Sequence, residues 1–393
     1  MLDLGSNRSV IRELFEYGKK RAAECGAENV FDYSLGNPSI PSPAEVNENA
    51  VRIMRERSSI AVHGYTSAVG DNGVRTAIAD DLNARFGTSY KKENLFMTCG
   101  AAASLISVFR ALTVDHSSEI LAIAPFFPEY ECFVKANGGV FGYVPADVPS
   151  FQIDFEKLEA MISENTQAVI INSPNNPSGV VYSEETVERL ADLLTQKSAR
   201  FGHPIYIISD EPYRELVYGS ATVPWVPSFY KNTIVCYSYS KSLSLPGERI
   251  GYVLVPSECD GFTDVYNAVA GGARASGFVC APSLWQYTVG ACASSRPDIA
   301  GYDENRRLLC GALTEIGYRF APPHGAFYLF IESPTGDGAS FSEIAMKHNL
   351  LLVPGNGFKC DSYLRAAYCV DGEMIKRSIP AFRAAYLEAT GNA

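Results

Sequence analysis

The 393-residue sequence predicts a mostly parallel α/β sheet flanked by helices, accompanied by a smaller α+β unit. Three observations point there. The chain is longer than a typical single domain, which favours one large α/β unit or two subdomains. From about residue 73 to 280, short β-branched apolar runs alternate with helical patterns, the order that builds a parallel sheet covered on both faces. Polar residues of unusual chemistry follow three successive runs, where the connecting loops of such a sheet converge.

Taken in order, Val10, Ile11, Leu14 and Phe15 fall on one helical face. The segment from Leu35 to Pro43 reads as extended, because Pro38, Pro41 and Pro43 exclude a helix there. Strands are predicted at Leu95–Thr98, Glu119–Ala124, Ala168–Ile171, Ile205–Ser209, Thr233–Tyr237 and Ile250–Val255, with a helix over Ser104–Leu112. Beyond about residue 300 the pattern changes to a helix, Asn305–Ile316, and two strands, Ala326–Ile331 and Tyr363–Val370. The division expected is an N-terminal arm (1–44) packed with the small domain, a large domain (45–290) and a small C-terminal domain (291–393).

Composition narrows the function classes. At 47% hydrophobic and 20% charged, the chain has the apolar mass for a sizeable core and is not of the disordered class. A net charge of −11 repels phosphate backbones and anionic lipid, so neither nucleic acid nor membrane is an expected partner. The ten cysteines form no C-x-x-C pair, and the five histidines lie far apart in sequence, so no metal site is expected. Scattered thiols fit a reducing compartment. The start of the chain lacks a signal-peptide pattern, and no apolar run approaches the roughly 18 residues of a membrane span. The expected location is cytoplasmic.

The chemistry centres on Lys241. Alone it reads as a solvated loop cation, but Ser238 and Ser240 flank it and Arg249 follows eight residues on. Two hydroxyls and a guanidinium are the parts of an anion cradle, and Gly247 is expected to let the loop bring Arg249 back. A lysine beside a phosphate cradle suggests a Schiff base with a phosphorylated aldehyde, as in pyridoxal phosphate. That group acts as an electron sink only while its ring nitrogen stays protonated, which needs a nearby carboxylate. Asp210, at the end of a predicted strand, is placed to supply one, although a helix N-cap is an equal use for it. Tyr213 and Asn176 have hydrogen-bonding groups for the cofactor's phenolic oxygen. Gly100 lies between a predicted strand and helix, where the amides of Gly100, Ala101 and Ala102 face outward to an anion.

These motifs together resemble those of the class I/II aminotransferases, the pyridoxal phosphate enzymes with the aspartate aminotransferase fold (fold type I). The resemblance is carried by Asn172-Ser-Pro-Asn-Asn-Pro-Ser-Gly179, Ser209-Asp-Glu-Pro-Tyr213 and Ser238-Tyr-Ser-Lys-Ser-Leu-Ser-Leu-Pro-Gly-Glu-Arg-Ile-Gly251, in family order. Leu35-Gly36-Asn37-Pro38 resembles the family's early substrate loop, and Tyr363-Leu364-Arg365-Ala366 its late arginine motif.

The resemblance implies that Lys241 carries the cofactor, Asp210 pairs with its pyridinium, and Tyr213 and Asn176 hold its phenolic oxygen. It further implies that Ser238, Ser240, Arg249 and the Gly100–Ala102 amides hold the phosphate, with Phe127 stacked on the ring. Gly36, Asn176 and Arg365 would bind substrate, and Tyr65 would cross to a neighbouring subunit's cofactor, making the active unit a homodimer.

The implied reaction moves an α-amino group from an L-amino acid to a 2-oxo acid by a ping-pong sequence, aspartate and 2-oxoglutarate being one pairing. The same apparatus also serves cystathionine-type β-lyases. Some aspartate-preferring relatives carry a lysine where this chain has Gly100-Ala101-Ala102, so aspartate, alanine and aromatic donors all stay open. Arg274, and to a lesser degree His324, are candidates near the substrate. The fold also serves transcription regulators, but the match begins within about the first 35 residues, and no preceding DNA-binding domain is expected.

Overall fold

The computed structural model describes residues 10–391 together with Leu2 and Gly5. Twelve strands are numbered here in chain order: β1 (Phe31–Asp32), β2 (Leu95–Thr98), β3 (Glu119–Ile123), β4 (Val140–Val144), β5 (Thr166–Asn172), β6 (Tyr206–Asp210), β7 (Thr233–Ser238), β8 (Gly251–Leu254), β9 (Tyr328–Glu332), β10 (Leu350–Leu351), β11 (Val353–Pro354) and β12 (Tyr363–Ala367). Seven of them form one sheet in the order β2-β8-β7-β6-β5-β3-β4. Only β8 runs against the rest, being antiparallel to both β7 and β2.

Alternation along these strands covers both faces. Ile120, Ile170 and Ile208 pack under the helices Ala101–Leu112 and Phe262–Ala275, through Leu105, Val108, Val265 and Val269. Leu121, Val169, Ile171 and Ile207 face the opposite way, onto Val187, Leu190 and Leu194 of the helix Glu184–Phe201. Fully burying each such leucine or isoleucine contributes about 1.5–3 kcal/mol. The Glu184–Phe201 helix is punctuated at both ends. The Ser183 hydroxyl accepts from the Thr186 amide at 3.1 Å, Glu184 and Glu185 sit in the first turn, and Gly202 ends it at φ 78°.

A second sheet, β11-β12-β9, is antiparallel, and β1 pairs with β10 in parallel. The arm is therefore stitched to the late part of the chain. Tyr33 and Ser378 also join them by a 2.7 Å hydroxyl–hydroxyl bond. Tyr213, Leu216 and Tyr218, which follow β6, enter this second core beside Phe327 and Tyr368. Among the described residues no helix is long and apolar enough to cross a membrane.

The predicted strands are present with ends displaced by a few residues, and four strands were not foreseen: β4 and the two-residue β1, β10 and β11. β4 lies at the sheet edge with Val140 43% and Tyr143 38% exposed. With one side unpaired and glycines at 138, 139 and 142, it lacks the apolar run that marks a buried strand.

Candidate active site

Register fixes the floor of the site. Asn172 pairs with Asp210 across β5 and β6, and Asp210 pairs with Cys236 across β6 and β7. These carboxyl-terminal strand ends, with the turn Tyr239–Ser242 that follows β7, open into one cavity of about 310 Å³. Its lining includes Gly36, Ala101, Ala102, Phe127, Asn176, Asp210, Tyr213, Ser238, Ser240, Lys241, Arg249 and Arg365, so twelve of the sequence-predicted residues meet there. Gly100 lies behind the wall, touching Arg249.

Lys241 is in the Tyr239–Ser242 turn, and its ammonium donates to the Gly36 carbonyl at 2.7 Å. Burial lowers its pKa to about 8, with Arg365 and Arg249 pushing the same way and Cys369 opposing. The amine is still mostly charged at physiological pH, but its neutral form, the one a nucleophile or base needs, is far more accessible than in an ordinary lysine.

Asp210 is buried, and burial raises its pKa to about 7, against the hydrogen bond from Tyr130. The Tyr130 hydroxyl donates to Oδ2, and the Asn172 amide donates to the Asp210 backbone carbonyl at 2.8 Å. Among the described residues Oδ1 has no hydrogen-bond partner. A buried carboxylate oxygen left open toward a cavity calls for a donor from whatever occupies it, above all a cationic N–H.

The anion cradle forms at the opposite side. Ser238 and Ser240 hydroxyls lie 2.7 Å apart, and Arg249 donates to Ser240 at 3.5 Å and to the Pro246 carbonyl at 2.9 Å. The helix Ala101–Leu112 starts at Gly100, φ 84°, with no side chain capping it, so its first amides remain free for an anion. A Cβ on Gly100 would come within 2.7 Å of an Arg249 nitrogen. Gly247 does not play the part expected of it. A side chain there would meet open space, and the left-handed backbone falls instead on Ser244 (φ 53°) and Arg249 itself (φ 51°). Holding non-glycine residues there costs roughly 1–2 kcal/mol apiece. Arg249's two hydrogen bonds offset part of that.

Arg365, on β12, donates to Asn176 Oδ1 at 3.0 Å and to the Ser34 carbonyl at 2.7 Å, while its Nε is buried without a partner among the described residues. With Asn176 Oδ1 occupied by the guanidinium, Asn176 Nδ2 is the group left to donate elsewhere. Phe127 is half-buried at the wall.

Three expected residues lie outside the cavity of their own chain. Tyr65 follows the short helix Ser59–His63 and is 97% exposed. Arg274, near the end of the Phe262–Ala275 helix, and His324 are exposed and do not line the cavity. Conversely, sequence reasoning missed Asn172 and Tyr130 as partners of Asp210, Ile11 at the mouth and Tyr328 beside Tyr213. Asn172 stood inside a quoted motif. The other three carried no local signal beyond apolar or aromatic periodicity.

A lysine of lowered pKa, a buried carboxylate with one oxygen left open, an anion cradle and a buried arginine share one cavity, a combination suited to amino-group chemistry. Residues 28–382 match the class I and II aminotransferases, and the chain belongs to that family. It is an aminotransferase, and the family depends on pyridoxal phosphate.

The chain is similar to an amino transferase of Eubacterium rectale, 55% identical over 99% of this chain and 98% of that one, with a TM-score of 0.97. An aspartate aminotransferase of Thermotoga maritima is 29% identical over 92% of each chain, and its structure superposes with a TM-score of 0.85. A probable aspartate/prephenate aminotransferase of Aquifex aeolicus is 29% identical over 89% of each chain.

Proposed function

We propose that this chain uses pyridoxal phosphate to move an α-amino group between an L-amino acid and a 2-oxo acid in ping-pong fashion. The observation that carries this reading is the open Oδ1 of buried Asp210, in the same cavity as the low-pKa amine of Lys241. When bound, the cofactor supplies an electron sink for charge developing at the substrate's α carbon.

The chain's own residues divide the remaining work. Asp210 Oδ1 accepts a hydrogen bond from the ring N–H and keeps that nitrogen cationic. Ser238, Ser240, Arg249 and the amides of Gly100, Ala101 and Ala102 hold the phosphate, and Phe127 covers the ring. Tyr213 and Asn176 Nδ2 donate to the phenolic oxygen. Arg365 grips the substrate α-carboxylate as a bidentate donor, beside Gly36 and Asn176. Lys241 Nζ, in its neutral form, would take the proton from the substrate's α carbon. The reading extends to a homodimer in which Tyr65 serves a neighbouring protomer. It is supported by the high exposure of two large apolar side chains, Ile60 (86%) in the helix Ser59–His63 and Tyr65 (97%) just after it.

Aspartate and 2-oxoglutarate are one substrate pair that this reading tests first, since several relatives carry aspartate aminotransferase in their names. The test is a panel of amino acids added to the cofactor-loaded protein, each with and without 2-oxoglutarate, read by the visible spectrum and by product. Transfer is expected to convert the spectrum without acceptor and restore it when 2-oxoglutarate is added. Release of pyruvate and ammonia from cystathionine without acceptor, with no such restoration for any amino acid, would replace transfer by β-elimination.

A further inference from the structure

Tyr328, the first residue of β9, lines the active-site cavity but has no place in the roles given above. It is buried, and its hydroxyl lies 2.9 Å from the hydroxyl of Tyr213. Space has been made for it there. A Cβ on Gly36 would come within 2.0 Å of the Tyr328 oxygen, so the residue whose carbonyl receives Lys241 must be glycine for the phenol to fit. Arg365 lies over its ring, 4.7 Å from the centroid. The titratable and charged groups facing the pair are Arg365, Asp210, Cys369 and Tyr130.

Each phenol has one proton. If Tyr213 spends its proton on an acceptor in the cavity, its oxygen must accept from Tyr328. If instead Tyr213 donates to Tyr328, nothing remains for the acceptor. The proposed role of Tyr213 as a donor to the cofactor's phenolic oxygen uses its one proton, so its own oxygen accepts from Tyr328 across the 2.9 Å contact. We infer that Tyr328 is a positioning residue that donates to Tyr213 and so aims the Tyr213 proton at the cofactor's phenolic oxygen. A donor chain of this kind strengthens its last bond and favours negative charge on that oxygen.

This inference rests on the pyridoxal phosphate reading, and its test separates the two. In the cofactor-loaded protein, the visible absorbance of the lysine–cofactor linkage is titrated with pH in the unaltered chain, Tyr328→Phe, Tyr213→Phe and the double variant. Losing a hydrogen bond one step removed should move the midpoint of Tyr328→Phe upward by roughly 0.5 unit. Tyr213→Phe should move it further in the same direction, and the double variant no further than Tyr213→Phe alone. Should Tyr328→Phe fold poorly, Gly36→Ala displaces the same hydroxyl and is expected to raise the midpoint too. An unshifted midpoint in Tyr328→Phe, or shifts that add in the double variant, overturns the inference. Absence of the visible band in the unaltered protein would instead remove the cofactor reading beneath it.

Discussion

Lys241→Ala is expected to lower the amino-transfer rate by at least about 10⁴-fold, the upper range for loss of a positioned general base. The visible band of the lysine–cofactor linkage should vanish with it. The reason lies in where the amine sits. Burial holds its pKa down to about 8, and its partner in the cavity is the Gly36 carbonyl, not a carboxylate that would keep it charged. Among the described residues no other lysine lines the cavity to take over its role. Steady-state rates and absorbance spectra check the two halves separately. Retention of either in the alanine variant would dissociate the lysine from the chemistry.

Asp210→Asn is expected to cost on the order of 10²–10⁴-fold in rate, because removing one member of a buried charge pair costs about 3–5 kcal/mol. Cofactor retention should weaken as well, read by dialysis against buffer and residual absorbance. Asn keeps the shape, loses the charge and turns one acceptor oxygen into an N–H donor.

The same variant has a signature in the cofactor-free protein. Burial raises the folded-state pKa of Asp210 from 3.8 to about 7. Between those values the folded chain keeps a proton that the unfolded chain has released, so stability falls as pH rises through that window. The unaltered apoprotein should therefore lose about 5 °C in Tm across it from this site, and Asp210→Asn should flatten that slope. Loading the cofactor should flatten it too, since a cation against Oδ1 favours the carboxylate. An equal slope in all three preparations would separate Asp210 from the ring nitrogen.

Much of the site was legible because its residues sit at strand ends, where apolar periodicity breaks sharply. Asp210 follows four buried residues of β6, and Lys241 comes three residues after the last residue of β7. A carboxylate or ammonium there has few uses in packing alone, which is why their chemistry could be read locally. Tyr130 and Tyr328 differ. Each occupies a position where an aromatic residue packs equally well as core, and the bonds that reveal them, to Asp210 and Tyr213, span 80 and 115 residues. Hydrogen bonds of that separation leave no periodic trace.

The fold divides in the same way. Alternation of strand and helix predicted the parallel sheet, but not that β8 runs against it or that β2 lies at its edge. Strand order depends on how connections cross the faces, which apolar spacing does not encode. Gly247 is a reminder that a glycine near a tight turn need not be the residue that bends; Arg249 takes the left-handed backbone itself.

The most direct measurement is borohydride reduction of the pyridoxal phosphate-loaded protein, followed by peptide mapping. A phosphopyridoxyl group is expected on the peptide containing Lys241 and on no other in stoichiometric yield. Stoichiometric labelling elsewhere, with Lys241 unmodified, would contradict the assignment of cofactor and lysine alike.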